Sequence, residues 1–205
     1  MTLFRVIAYI DGFNLYYGLK DKNWKRYYWL NLSSFVLSLL ENSQTLVCSK
    51  YFTARVDKPA SKKARQDAYL DALGTLSDLN IYYGRYQYDP FTCYKCSRTY
   101  DIPHEKMSDV NIATEMLSDA FQNKFDTAFL ISADADLVSP IKKIRDLFPE
   151  KRLVVFFPPE RRSADLARVA YHSRPIYRKN FAENQFPELI TRGDGYVIKR
   201  PLEWK

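Results

Sequence analysis

Residues 6–15 read V-I-A-Y-I-D-G-F-N-L. Five uncharged residues with no polar alternation describe a strand covered on both faces, as parallel sheets require. Asp11-Gly12 ends the run with a turn, and Phe13 to Leu19 reads as a short helix. Residues 126–137, D-T-A-F-L-I-S-A-D-A-D-L, repeat the plan: an apolar strand, then Asp134 and Asp136, then a helix opened by Ser139-Pro140. Asp109 begins another helix, in E-K-M-S-D-V-N-I-A-T-E-M-L. An open parallel sheet binds its ligands outside the carboxyl ends of its strands. Asp11, Asp109, Asp134 and Asp136 are expected to gather there. Unit charges about 4 Å apart repel by roughly 4 kcal/mol at an effective dielectric near 20. A set of oxygen donors under that repulsion points to a hard divalent cation, Mg²⁺ or Mn²⁺.

Outward from these stretches, the pattern alternates. Asn31 caps a helix over 32–41, with Leu32, Phe35, Val36 and Leu39 on one face. Residues 45–54 give a second strand, and Pro59 opens a helix to about Asp78. Residues 80–88 form a third strand, and 89–107 read as a loop. Ser108 caps a helix at 109–122 with Val110, Ala113, Leu117 and Ala120 as its apolar face. Strands at 126–132 and 152–157 follow, with a helix from Ser163 to about Tyr171. Ile176 and Val197 fall in expected edge strands. Strands alternating with helices imply parallel pairing and right-handed crossovers. The fold class expected is α/β, a three-layer α/β/α sandwich around a mostly parallel central sheet. It divides into a domain over 1–178 and an extension, 179–205, packed on the same domain.

The chain's 205 residues suit one core, and 46% hydrophobic content disfavours disorder. No apolar run reaches the roughly 18 residues of a membrane span. The opening M-T-L-F-R-V-I-A-Y-I reads as a buried strand and not as a signal peptide. Three cysteines make no disulfide framework and suggest a reducing cytoplasm. A net charge of +7 around an acidic centre suits a polyanionic substrate.

Each acid also has an ordinary reading. Asp11 and Asn14 make a capped turn, and Asp109, Asp134 and Asp136 sit where a helix dipole favours acids. Asn14 can instead orient a water or phosphate, and Ser132 a ligand carboxylate. Asn111 and Glu115 are weaker ligand candidates, and Glu115 reads more readily as a solvated helix charge. Arg55, Lys62, Lys63 and Arg65, with Arg161 and Arg162 after the fifth strand, would surround the same edge and attract phosphates. Tyr16 and Tyr17 are candidates for stacking on a base. Trp24 and Trp29, in a basic aromatic loop over 21–30, are candidate stacking or dimer contacts. Cys93-Tyr-Lys-Cys96, with His104, has the spacing of part of a structural Zn²⁺ site. A fourth ligand would have to come from Cys48 or a second subunit. A reduced, metal-free pair is the alternative.

The segments Y-I-D-G-F-N-L-Y, E-K-M-S-D-V-N-I-A-T-E-M-L and A-F-L-I-S-A-D-A-D-L-V-S-P-I together resemble the NYN-domain family, the LabA-like group of the PIN-like nuclease superfamily. The resemblance covers about residues 3–178. It implies a PIN-like fold and a metal-dependent ribonuclease. Asp11, Asp109, Asp134 and Asp136 would be the catalytic, metal-holding cluster, with Asn14 as polar partner. It further implies hydrolysis to 5′-phosphate and 3′-hydroxyl ends. Histidines are few, His104 and His172, which argues against a two-histidine ribonuclease. The substrate expected is RNA, single-stranded or structured, with no membrane partner and with a homodimer as a candidate assembly. The alternatives are an RNA-binding or regulatory module with a degenerate site, and a metal enzyme acting on a small molecule.

Overall fold

The computed structural model describes residues 3–205, apart from the side chain of Pro103. Met1 and Thr2, which the sequence reading includes in the domain, lie outside the described residues. Strand β1 (Phe4–Asp11) runs directly into helix α1 (Gly12–Asp21). Helix α2 (Leu32–Leu37), β2 (Gln44–Thr53), α3 (Ala60–Leu73) and β3 (Leu79–Tyr83) follow. A hairpin of β4 (Arg85–Thr92) and β5 (Thr99–Lys106) precedes α4 (Ser108–Phe121). The second half contains β6 (Thr127–Ile131), α5 (Val138–Leu147), β7 (Arg152–Phe157), α6 (Ala164–Val169) and β8 (His172–Pro175). Helix α7 (Arg178–Ala182) and a small pair, β9 (Leu189–Thr191) and β10 (Val197–Lys199), close the chain.

Six strands form one parallel sheet in the order β3-β2-β1-β6-β7-β8. The chain winds outward from β1 to β3, then returns to β6 and winds the other way. The reversal falls between β1 and β6, whose registers pair Ile10 with Ile131. A sheet reversed in this way opens a crevice at the carboxyl ends of the two central strands. This α/β architecture matches the sequence reading.

The unbroken apolar run of β1 has a direct cause. Val6, Ala8 and Ile10 join a core with α1, α2 and Phe35, and Ile7 and Tyr9 join another with Ile112, Met116 and Ile141. Both faces are covered, so neither set is polar. Each large apolar side chain buried in this way contributes roughly 1.5–3 kcal/mol. Phe181, Phe186 and Ile198, from the last thirty or so residues, join the first core. Under α4 lies a charged exception. Lys50 is buried and pairs with Asp119 and, at 2.6 Å, with Glu115. The Tyr9 hydroxyl donates to Asp119 at 2.7 Å. Glu115 is therefore an ion-pair partner and not a solvated charge.

Several local expectations need correction. Residues 89–107 are not a loop: β4 and β5 pair antiparallel from Arg85–Lys106 to Thr92–Thr99. Helix α3 ends at Leu73, because the chain must turn to enter β3. Ser108 does not cap α4; the Glu105 carboxylate accepts from the Ser108 N–H at 3.0 Å instead. The buried face of α4 carries Ile112, Met116, Asp119 and Ala120, whereas Val110 is exposed. Trp29 is fully buried, its Nε1 donating to the Pro187 carbonyl, and Trp24 packs on Phe181. Neither is a free stacking surface. Ile176 lies just beyond β8, and Val197 belongs to the separate small sheet.

Candidate functional site

The crevice at the reversal is built first from Asp11, the last residue of β1. Its side chain is 2% exposed and caps α1, accepting from the Asn14 N–H at 2.9 Å. The Asn14 side-chain amide donates to the same carboxylate at 2.6 Å, and the Ser132 hydroxyl, from just beyond β6, at 2.8 Å. Burial pushes the Asp11 carboxyl up, against the pull of these three donors. Gly12 allows the arrangement. A Cβ there would stand 2.6 Å from the Phe52 carbonyl oxygen and 2.8 Å from the Tyr51 ring. Any other residue would force β2 away from the start of α1.

The second arm enters after β6. The Ser132 hydroxyl accepts from the Asp134 N–H at 3.0 Å, and Asp134 accepts from the Asp136 N–H at 2.9 Å. The Asn14 side-chain oxygen, Oδ1, accepts from the Ala133 N–H at 3.3 Å. Asn14 and Ser132 thereby tie the β1 turn to the β6 turn. Asp134 is half-buried, and Asp136 is exposed.

The third arm is the start of α4. Asp109 is half-buried there, and its carboxyl is pushed up to about 7. Burial is the largest cause, followed by the charges of Asp134, Asp11, Glu105 and Asp136. The neighbours that act most strongly on Asp109 are thus all carboxylates. Glu105 is the member that the sequence reading missed. It sits at the foot of the hairpin, where Gly84 permits close approach; a Cβ on Gly84 would meet the Lys106 carbonyl oxygen at 2.6 Å. A hairpin misread as a loop hid it, although its position three residues before Ser108 is a helix-capping signal. Met107, ahead of the helix, adopts the left-handed φ of 84°, which costs a non-glycine residue on the order of 1 kcal/mol.

The donor set is all oxygen, which suits a hard divalent ion. Among the described residues, no group of three or more His, Cys, Asp or Glu side chains is arranged so that it could hold a metal ion by itself. Mg²⁺ does not need such a group, since it keeps several waters and takes one or two carboxylates together with substrate phosphates. The buried Ser108 hydroxyl beside these acids has no partner in the fold. By donor chemistry alone, the residues present suit such an ion in company with waters and substrate oxygens.

The basic residues divide. Lys62 and Arg65 line a cavity that also touches Gly12 and Phe13, next to Asp11. Tyr16 shares that wall. Arg55 and Lys63 are drawn to Asp67, at 3.5 and 2.5 Å. Arg161 pairs with Asp21 at 2.6 Å, at the opposite end of α1 from Asp11, and Arg162 is exposed. The expectation that all six basic residues surround the acids is thus met only in part. His104 is not brought to the cysteine pair. Cys93 and Cys96 flank the hairpin tip, while His104 pairs with Gln87, five residues of strand beyond Thr99. At about 3.3 Å per residue that separation is too long for one ion. Cys48 lies in β2 of the main sheet.

The NYN domain matches residues 5–176, most of the chain. The chain belongs to the NYN-domain family. NYN domains share the PIN-like nuclease fold and are generally ribonucleases. A crystal structure of a protein of unknown function from Vibrio parahaemolyticus is similar, with a TM-score of 0.58 and 17% identity over 86% of this chain and 94% of that one. At that identity the likeness shows the fold. No curated protein matches the chain significantly. No helix among the described residues of this NYN protein is long and apolar enough to cross a membrane.

Proposed function

We propose that this NYN protein hydrolyses RNA phosphodiester bonds at the acidic crevice, with Mg²⁺ or Mn²⁺ held by Asp11, Asp109, Asp134 and Asp136. One observation carries the reading. Carboxylates from three distant segments lie close enough at the sheet's reversal to act on one another's ionisation, and Asp109 is pushed up to about 7 by burial and by the charges of those acids. Acids so placed oppose one another's ionisation, and a bound cation inverts that logic. When bound, such a cation offsets phosphoryl charge and acidifies a water.

The side chains of the protein do the positioning. Asn14 and Ser132 hold Asp11 in one orientation, so its carboxylate needs no reorganisation when a cation arrives. Burial and the neighbouring acids favour the protonated form of Asp109, and a bound cation would favour the ionised one. Neither histidine belongs to the site. His104 lies near Asp89 on the hairpin, and His172 opens β8 at the sheet edge. Acid–base chemistry by a histidine pair is therefore not the mechanism.

The test is incubation of labelled single-stranded and structured RNAs with Mn²⁺, with and without chelator. Asp11→Asn and Asp109→Asn proteins, checked for folding by circular dichroism, run alongside. Cutting that needs both the metal and the two aspartates is expected. Cutting that survives the chelator and both substitutions would overturn the proposal, as would RNA binding with no cutting across the panel.

A further inference from the structure

Beside the crevice, bordered by α1 and α3, lies a cavity of about 430 Å³. Gly12 and Phe13, which follow Asp11, form part of its wall, as does Thr53 at the end of β2. The cavity thus reaches the residues next to Asp11, although none of the crevice acids lines it. Its volume lies toward the low end of small-molecule sites, roughly 300–1,000 Å³, which accommodates one nucleotide and not a duplex.

The lining has two characters. One is aromatic. The Tyr16 ring stands 5.3 Å from Tyr17 and 5.1 Å from Tyr28, and Tyr28 stands 5.6 Å from Trp204. Tyr86, on β4, meets Phe13 edge-on at 5.9 Å. The other character is cationic. Lys62 Nζ lies 6.0 Å from the Tyr16 ring centre, and Lys20 Nζ 5.3 Å from that of Tyr17. The acid in the wall, Glu203, is already bound to Arg65 at 2.9 Å. Among the described residues, no carboxylate pairs with Lys20 or Lys62. Lys63, by contrast, is neutralised by Asp67. Burial and the charges of Lys20 and Arg65 push the Lys62 ammonium down from its ordinary range. Cations crowded together against aromatic rings suit a ligand that brings its own anion and a flat π-face.

We infer that the cavity receives one unstacked nucleotide of an RNA strand, its base against Tyr16 and Tyr17 and its phosphate among Lys20, Lys62 and Arg65. The inference rests on the ribonuclease reading and narrows it, because a base in this cavity cannot be paired. The strand cut at the crevice is therefore single at that point.

Binding is measured by fluorescence anisotropy in chelator, on the Asp109→Asn protein, so that nothing is cut during the titration. The probes are a labelled single-stranded hexaribonucleotide, the same sequence as a duplex, and uridine monophosphate as competitor. Lys62→Glu and Tyr17→Ala, both at the cavity rim, are each expected to weaken single-strand binding about tenfold. That is the loss of one phosphate contact or one base–aromatic stack. Lys62→Ala should also flatten the dependence of log affinity on log salt by about 0.7. Competition by the monophosphate that Lys62→Glu abolishes supports the site. Single-strand affinity within twofold of the parent in both variants would overturn it, as would duplex binding of equal strength. If binding responds as expected but no RNA is ever cut by the unmodified protein, the nucleotide site stands and the ribonuclease reading falls. If RNA is cut but binding ignores both variants, the site alone falls.

Discussion

The two ends of the central sheet treat their aspartates in opposite ways. At the amino end, Asp126 precedes β6 and is clasped by Arg5, whose guanidinium reaches it at 2.8 and 3.2 Å. The Arg5 N–H also donates to it, at 2.8 Å. The Asp126 carboxyl is held below its ordinary range, chiefly by the hydrogen bond from Arg5. At the carboxyl end, Asp109 is pushed up to about 7 by burial and surrounding acids. One residue type at the two ends of one sheet thus has two fates, and the difference lies in who supplies positive charge. The protein provides it at the amino end. At the carboxyl end, among the described residues, no basic side chain pairs with Asp11, Asp109, Asp134 or Asp136, and under the proposed function a bound cation would take that role.

The comparison breaks most visibly in catalysis. Asp11→Asn or Asp109→Asn is expected to slow RNA cleavage by at least about 10²–10³-fold at saturating Mn²⁺, or roughly 3–4 kcal/mol of barrier. Asp126→Asn should stay within about twofold. Initial rates on labelled RNA check both. A comparable loss in Asp126→Asn would mean that the acids at the two ends do not differ in kind.

A third environment sharpens the contrast. Asp119 is buried with Lys50 and the Tyr9 hydroxyl, so it has no functional freedom to lose. Asp119→Ala leaves Lys50 with one acid and Tyr9 with none, and breaking such a buried pair costs about 3 kcal/mol. For a chain of this size that lowers the melting temperature by roughly 6–12 °C. Thermal and urea unfolding measure it. A shift under about 2 °C would mean that Glu115 alone satisfies Lys50.

The legibility of these environments in the sequence follows from their physics. The parallel sheet was readable because β1 and β6 are apolar on both faces, which only a covered strand tolerates. Asp11, Asp134 and Asp109 were readable because strand ends and helix starts are local features. Asp119 and Lys50 were not, since their pairing joins β2 to α4 across 69 residues and each looks like surface in isolation. The β4–β5 hairpin was hidden by Pro90, Pro103 and a polar tip, signals that favour loops. Its pairing runs through the backbone, and the exposed strands carry no core pattern to betray it. Glu105 was lost with the hairpin. The cationic cavity was half legible: Lys62 and Tyr16 stood out, but Lys63 and Arg55 looked the same until the structure paired them with Asp67.

The finest test uses pH, because the two ends should respond with opposite signs. A carboxyl raised in the folded state binds its proton more tightly there than in the unfolded chain. Its penalty is absent below about pH 4, grows as pH climbs toward 7, and is complete above that. Asp109→Asn should therefore stabilise the metal-free protein at pH 8 and leave it unchanged at pH 4. Asp109 is partly solvated, so the gain is on the order of 1 kcal/mol, or about 2–4 °C. Asp126 is lowered in the folded state, so its contribution is present at neutral pH and is lost as pH falls below the ordinary carboxylate range. Asp126→Asn should cost at most about 1 kcal/mol at pH 8, since the pair with Arg5 is half exposed. Adding Mn²⁺ at pH 8 then separates the two ends. A cation that binds the folded protein raises the melting temperature of the parent by mass action and less so that of Asp109→Asn, reversing their order. Melting curves in chelator and in Mn²⁺ that keep the same order would show that Asp109 does not face the cation.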